Sequence, residues 1–152
     1  MNQNTKKIVN RKAKFEYNLM QGFEAGLMLK GTEVKSLRLG EANLNDAYCL
    51  FVNGELYLKS AYIAEYEYGN NHNHETRRDR KLLLRKTELH KLEKRTTEKG
   101  LTIVPYKFFF SERGFAKIEI FLAQGKKSYD KRNSIKDKDA KRDLDRIKKM
   151  QQ

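Results

Sequence analysis

Cysteine and proline each occur once in this chain of 152 residues, and no stretch approaches the roughly 18 consecutive apolar residues of a membrane-spanning helix. The single Cys49 excludes a disulfide framework within one molecule. Set among Tyr48, Leu50 and Phe51, it reads as a small buried apolar residue rather than a nucleophile. The N-terminal stretch 1–14 carries Lys6, Lys7, Arg11, Lys12 and Lys14 without an acidic residue, yet lacks the apolar run of a secretory signal. A cytoplasmic location is the expectation. No basic helix with a Leu, Phe or Trp face stands out, which argues against a membrane surface as partner. Phosphate-binding glycine loops, a nucleophile elbow and a plausible His/Asp/Ser set are missing as well. Glu24 and Glu33 lie nine residues apart across a turn, which is no catalytic spacing. Both read as local hydrogen-bond acceptors, Glu24 toward a base or sugar donor. His72 and His74 fall short of the three or four ligands of a zinc site, so their segment reads as a mobile polar loop. The expectation is a protein that is not an enzyme and takes neither metal nor cofactor.

What the chain has in excess is positive charge. Its 33 Lys and Arg stand against 20 Asp and Glu, a formal +13, and such an excess attracts a polyanion over long range. Basic residues alternate with Phe15, Tyr17, Phe23 and Tyr48, and cations beside stacking surfaces suit folded RNA. Cationic clusters hold phosphates; they do not choose which RNA. The length allows one domain with an appendage.

Residues 23–30 read as a strand that stops at Gly31. A short helix follows, with Thr32 as N-cap, Glu33 at the positive end of the dipole, Val34 and Leu37 on one face and Gly40 in the left-handed C′ position. That leaves Lys35 and Arg38 on a second face. Residues 46–52 and 55–60 flank Asn53-Gly54, the residue pair of a type I′ hairpin turn. A second hairpin joins 101–110 to 115–123 around Ser111-Glu112-Arg113-Gly114, with Pro105 marking an edge or a bulge. Ala116, Ile118, Ile120 and Leu122 share a face opposite Lys117 and Glu119. Between the hairpins, 77–95 holds nine basic and three acidic residues around Leu82-Leu83-Leu84. Its first half is open between strand and helix, and from Thr87 the Leu89/Leu92 spacing favours helix. Strands paired through tight turns, with short helices at the corners, predict a mainly β fold, a small antiparallel OB-like barrel over residues 1–124.

From Gly125 onward the character changes. Residues 125–152 hold eleven basic and five acidic residues and few large apolar ones, too few for a core. On a helix, Lys131, Lys138, Arg142 and Lys149 fall nearly in one line, opposite Ala140, Leu144 and Ile147. An isolated segment of this kind is marginal in water, so it is expected to be disordered when free and helical on a polyanionic surface.

Specific strings run in order along the chain: Asn10-Arg11-Lys12-Ala13, Phe23-Glu24-Ala25-Gly26, Gly31-Thr32-Glu33-Val34-Lys35-Ser36-Leu37-Arg38, Arg80-Lys81-Leu82-Leu83-Leu84, and Gly125-Lys126-Lys127 followed by Asp130-Lys131-Arg132. Together they resemble the SsrA-binding protein (SmpB) family. The resemblance implies a barrel that binds the tRNA-like domain of transfer-messenger RNA and escorts it to bacterial ribosomes stalled on broken messages, standing in for the anticodon arm this RNA lacks. It implies that Asn10, Glu24, Tyr48 and Leu83 face the RNA, joined by the basic neighbours Arg11, Lys12, Lys35, Arg38, Arg80 and Lys81. It also implies a tail, with Gly125, Lys126, Lys127, Tyr129, Asp130, Lys131, Arg132, Lys138, Arg142 and Lys149, that enters the decoding site and the empty mRNA channel. Many members have His where this chain has Tyr129, so stacking rather than titration is expected there. The protein is expected to be a monomer. Two rival readings are an accessory ribosomal protein bound permanently to ribosomal RNA and an RNA-processing or hydrolytic enzyme, the latter without a catalytic constellation to carry it.

Overall fold

The computed structural model describes residues 7–98 and 100–126. The expectations for Lys127, Tyr129, Asp130, Lys131, Arg132, Lys138, Arg142 and Lys149 lie outside these residues. The elements are β1 (Ile8–Val9), α1 (Ala13–Glu16), β2 (Tyr17–Leu27), α2 (Gly31–Arg38), β3 (Ala42–Asn43), β4 (Tyr48–Val52), β5 (Glu55–Lys59), β6 (Tyr62–Ile63), β7 (Arg80–Leu83), α3 (Lys86–Thr96), β8 (Leu101–Phe110) and β9 (Ala116–Gly125). Seven strands form one antiparallel sheet in the order β1-β8-β9-β2-β7-β5-β4, and β3 pairs with β6 beside it. The long sheet curls until β4 lies against β8, which makes the barrel.

Both hairpins form where the turn residues place them. Asn53 and Gly54 take φ of 52° and 78° between β4 and β5, the left-handed pair that matches the twist of the flanking strands. Pro105 sits in a bulge, since the β8–β9 register slips between Pro105 and Lys107. A second bulge falls between Leu19 and Gln21 of β2. The extra residue in each strand reverses which side chains point inward. Beyond the bulges Phe23, Ala25, Phe108, Ile118 and Ile120 enter the main core with Leu56, Leu58 and Leu82. Before them Leu19, Tyr17 and Val104, together with Tyr106 in the β8 bulge itself, pack outside the barrel with Ala13 of α1. The sequence expectation of a strand over 23–30 thus falls short at one end and overruns at the other.

Helix α2 begins two residues earlier than Thr32 suggests. Lys30 is its N-cap, and the Glu33 carboxylate accepts from the Lys30 N–H at 2.8 Å. The Thr32 hydroxyl instead meets Nδ1 of His74 at 2.9 Å. At the other end Gly40 (φ 77°) closes a Schellman motif, with Glu41 N–H donating to Ser36 and Gly40 N–H to Leu37. Residues 80–83 resolve as strand and Lys86–Thr96 as helix, with Leu92 buried.

The segment around His72 and His74 is fixed rather than loose. His74 is buried, and its Nε2 lies 2.9 Å from the Ile63 carbonyl. A carbonyl only accepts, so Nε2 carries the proton and both ring nitrogens serve the fold. Asn73 clamps Tyr66, accepting from its N–H and donating to its carbonyl, each at 2.8 Å. Cys49 is buried on β4, and burial pushes its thiol pKa upward, away from nucleophilic use.

Candidate nucleic-acid interface

Antiparallel register decides which side chains reach the outer face of the barrel together. Gly26 of β2 stands opposite Leu83 of β7 on one side and Lys117 of β9 on the other. Two residues back on the same face, Glu24 stands opposite Glu119, which pairs in turn with Lys107 of β8. A Cβ at Gly26 would lie 3.3 Å from Cβ of Leu83, so glycine lets the leucine lie flat across β2. Leu83 is 47% exposed. It joins two shallow depressions. One is lined by Glu24, Leu84, Arg85, Glu88 and Lys117, the other by Arg38, Val34, Leu29 and Phe115 among others.

That surface holds an apolar side chain, the cations Arg38, Arg85 and Lys117, and the carboxylates Glu24, Glu88 and Glu119, of which Glu24 is the most open to solvent. Cations neutralise phosphates. Glu24 repels them, and accepts well only from a base amino group or a ribose hydroxyl. A carboxylate in a cationic field thus favours nucleotides presented by their bases and sugars over bare backbone.

A second patch forms at the seam where β4 meets β8. Asn10, Lys12, Tyr17, Asn45 and Tyr48 line a cavity of about 80 Å³ there. Asn10 is held by its own backbone N–H to the Tyr106 carbonyl and by Nδ2 to the Pro105 carbonyl, at 2.7 and 3.0 Å. Its Oδ1 is buried and finds no hydrogen-bond partner among the described residues, an acceptor that a donor from RNA or a water would satisfy. Tyr48, usually a core residue in a strand, is 49% exposed beside it, because its β4 neighbour Cys49 takes the inward phase.

The remaining sequence-derived residues divide. Arg11 and Lys12 are exposed on the β1–α1 turn. Lys35 and Arg38 are exposed on one face of α2, Lys35 over the Tyr66 ring at 5.2 Å and Arg38 over Phe110 at 5.3 Å. Lys81 points outward but pairs with Glu55 at 2.8 Å, and that hydrogen bond raises its pKa. Gly125 ends β9 opposite Tyr17, and the Lys126 N–H donates to the Glu16 carbonyl, so the fold grips the chain through 126.

Arg80 is a correction: it is fully buried, and every nitrogen of its guanidinium serves the interior. Nε bonds Glu33, Nη1 the Ala61 carbonyl and Nη2 the Thr76 carbonyl. The neighbouring positions alternate faces in β7, so Lys81 and Leu83 point out because Arg80 and Leu82 point in. Three residues of the outer surface escaped the sequence reading: Lys117, Arg85 and Phe115. Lys117 was signalled by its polar phase in β9. Phe115, directly after a turn glycine, carried no periodic signal at all.

Comparison with known proteins supplies what charge and register do not. The SmpB protein family model matches residues 7–150. The SsrA-binding protein of Flavobacterium johnsoniae is 53% identical over 142 residues, covering 93% of this chain and 94% of that one. The SsrA-binding protein of Desulforamulus reducens is 50% identical over 143 residues, covering 94% and 89%. A solved structure described as "tmRNA-SmpB: a journey to the center of the bacterial ribosome" superposes with a TM-score of 0.68 at 49% identity, covering 80% of this chain and 85% of that one. Agreement of this depth, in sequence and in fold and over nearly the whole length, places the chain in the SmpB protein family.

Proposed function

We propose that the chain binds the tRNA-like domain of transfer-messenger RNA and delivers it to stalled bacterial ribosomes, standing in for the missing anticodon arm so that the nascent peptide is tagged. The observation that carries the reading is the outer face of β2, β7 and β9, where half-exposed Leu83 sits beside Glu24 with Arg38, Arg85 and Lys117 lining the same two depressions. The relatives, named for binding SsrA RNA, supply the identity of that RNA. Glu24, Leu83, Lys35, Arg38 and Lys81 are assigned to this face, and Asn10, Arg11, Lys12 and Tyr48 to the seam. Residues 125–152 are assigned to the ribosome, with Tyr129 stacking on a ribosomal base. No helix among the described residues is long and apolar enough to cross a membrane. Action on ribosomes supports a cytoplasmic location, and the protein is assigned as a monomer. The pure protein is expected to turn over neither RNA nor peptidyl-tRNA.

Sequencing of RNA that copurifies with the tagged protein tests the assignment, and a single enriched RNA is the expected result. Recovery of bulk ribosomal RNA in stoichiometric amounts would favour a permanent ribosomal component instead. A finer measurement uses Leu83→Asp. Fully burying a leucine contributes about 1.5–3 kcal/mol, and the new carboxylate would face phosphates. Affinity for the tRNA-like domain should fall about tenfold or more, while a surface change of this kind moves stability by roughly 0.5 kcal/mol or less. Filter binding together with a thermal melt separates the two effects.

A further inference from the structure

We infer that the groove between the β8–β9 turn and α2 takes one unstacked RNA base, with Phe115 as its stacking platform and Arg38 and Lys117 holding the flanking phosphates. The inference rests on the proposed function and sharpens it to a particular side chain.

Phe115 is 64% exposed, although phenylalanine has no polar atom to offer water. It does not owe this to a loose turn. The Gly114 N–H donates to the Ser111 carbonyl, the Ser111 N–H to the Phe115 carbonyl, and the Phe115 N–H to the Ser111 hydroxyl, at 2.8, 2.9 and 3.2 Å. Gly114 takes φ 86°, a conformation that a side chain would strain. Arg38 is fixed alongside, its Nη2 donating to the Gly114 carbonyl at 3.3 Å and its plane over Phe110. A rigid ring beside a rigid guanidinium is a preorganised surface, which lowers the ordering cost of binding.

The lining of the groove selects the occupant. Among the described residues its charged groups are Arg38 and Lys117, with no acidic residue in the lining; the rest is apolar, including Leu29, Val34 and Leu83. A cationic or purely aliphatic partner leaves those charges without counterpart. An aromatic ring joined to phosphates matches both parts, and such a base is available wherever RNA leaves regular helix. Leu83 belongs at once to this groove and to the depression that holds Glu24, so the base would lie beside the contacts already assigned.

The absence of tryptophan from the chain makes the test direct, because Phe115→Trp installs a lone fluorescent reporter in the full-length protein. Saturating tRNA-like domain should quench this tryptophan. Phe115→Trp should bind as tightly as the parent, whereas Phe115→Leu and Phe115→Ala should lose about 5- to 150-fold, the range of one base–aromatic stack. Two results would overturn the inference: tight binding that leaves the tryptophan spectrum unchanged, or a leucine variant as tight as the tryptophan one. Quenching by ribosomes but not by the RNA would overturn it too, in favour of a ribosomal contact. Failure of the parent protein to prefer this RNA over an unrelated one would strike the functional reading itself, and the two failures are distinguishable.

Discussion

A chain ending at Lys127 is expected to hold the tRNA-like domain nearly as tightly as the full-length protein and to support no tagging on the ribosome. Among the described residues the buried core lies within 13–123, β9 ends at Gly125, and the backbone hydrogen bond nearest the C-terminus is that of Lys126 to Glu16. Deleting 128–152 removes nine basic and five acidic residues and leaves a formal +9, so long-range attraction persists. Binding measured at two salt concentrations and peptidyl transfer to the alanyl RNA, assayed in parallel, check the division of labour. Equal loss of both activities would show that barrel and tail are one binding unit. Replacing Lys131, Lys138, Arg142 and Lys149 by Glu should reproduce the deletion if those cations meet ribosomal phosphates along one helical line. At Tyr129 the ring and not the hydroxyl is the group expected to act. Tyr129→Phe should keep transfer and Tyr129→Leu should lose it, and full activity in both would exclude stacking.

Local chemistry made much of the barrel readable in advance. Asn53-Gly54, Pro105, Gly40 and the Leu89/Leu92 spacing each specify a turn, a bulge, a cap or a helix through constraints acting within a few residues. What escaped depends on partners far away in sequence. β2 begins at Tyr17, but its bulge after Leu19 breaks the period-two pattern that marks a strand. β1, β3 and β6 are two residues long and exist only through their pairing. Thr32 has the chemistry of an N-cap, yet a buried histidine 42 residues away takes its hydroxyl. Of the residues proposed for the interface, Glu24, Leu83, Lys35, Arg38 and Tyr48 are exposed, while Asn10 is buried and lines the cavity at the seam. Arg80 does not, because a basic residue in a basic string looks like surface until the buried carboxylate that claims it is known.

That carboxylate carries the last large effect: Arg80→Met is expected to destabilise the protein by about 3–5 kcal/mol, the usual cost of leaving one member of a buried ion pair alone. Glu33 and Arg80 are both fully buried. Glu33 also accepts from Arg78 at 2.6 Å, so its charge would be only partly answered after the change. A double variant, Glu33→Leu with Arg80→Met, should recover much of the loss, because an apolar pair no longer strands a charge. Acid should act on the same site. Burial alone would raise the Glu33 pKa, but hydrogen bonds from Arg78, the Lys30 N–H and Arg80 outweigh it and hold it below the ordinary 4.5. A carboxyl with a depressed folded pKa contributes its full stability above 4.5 and loses it as pH falls through the folded value. Parent melts should therefore drop at acid pH below 4.5, and melts of the double variant should drop less. RNA binding separates this role from a direct one. The pair ties α2 to β7, and so sets Arg38 and Leu83, without meeting a phosphate. Well below its melting temperature, the double variant should show the parent's dependence of affinity on salt. A slope shallower by about 0.7–0.9 per lost phosphate contact would return Arg80 to the interface.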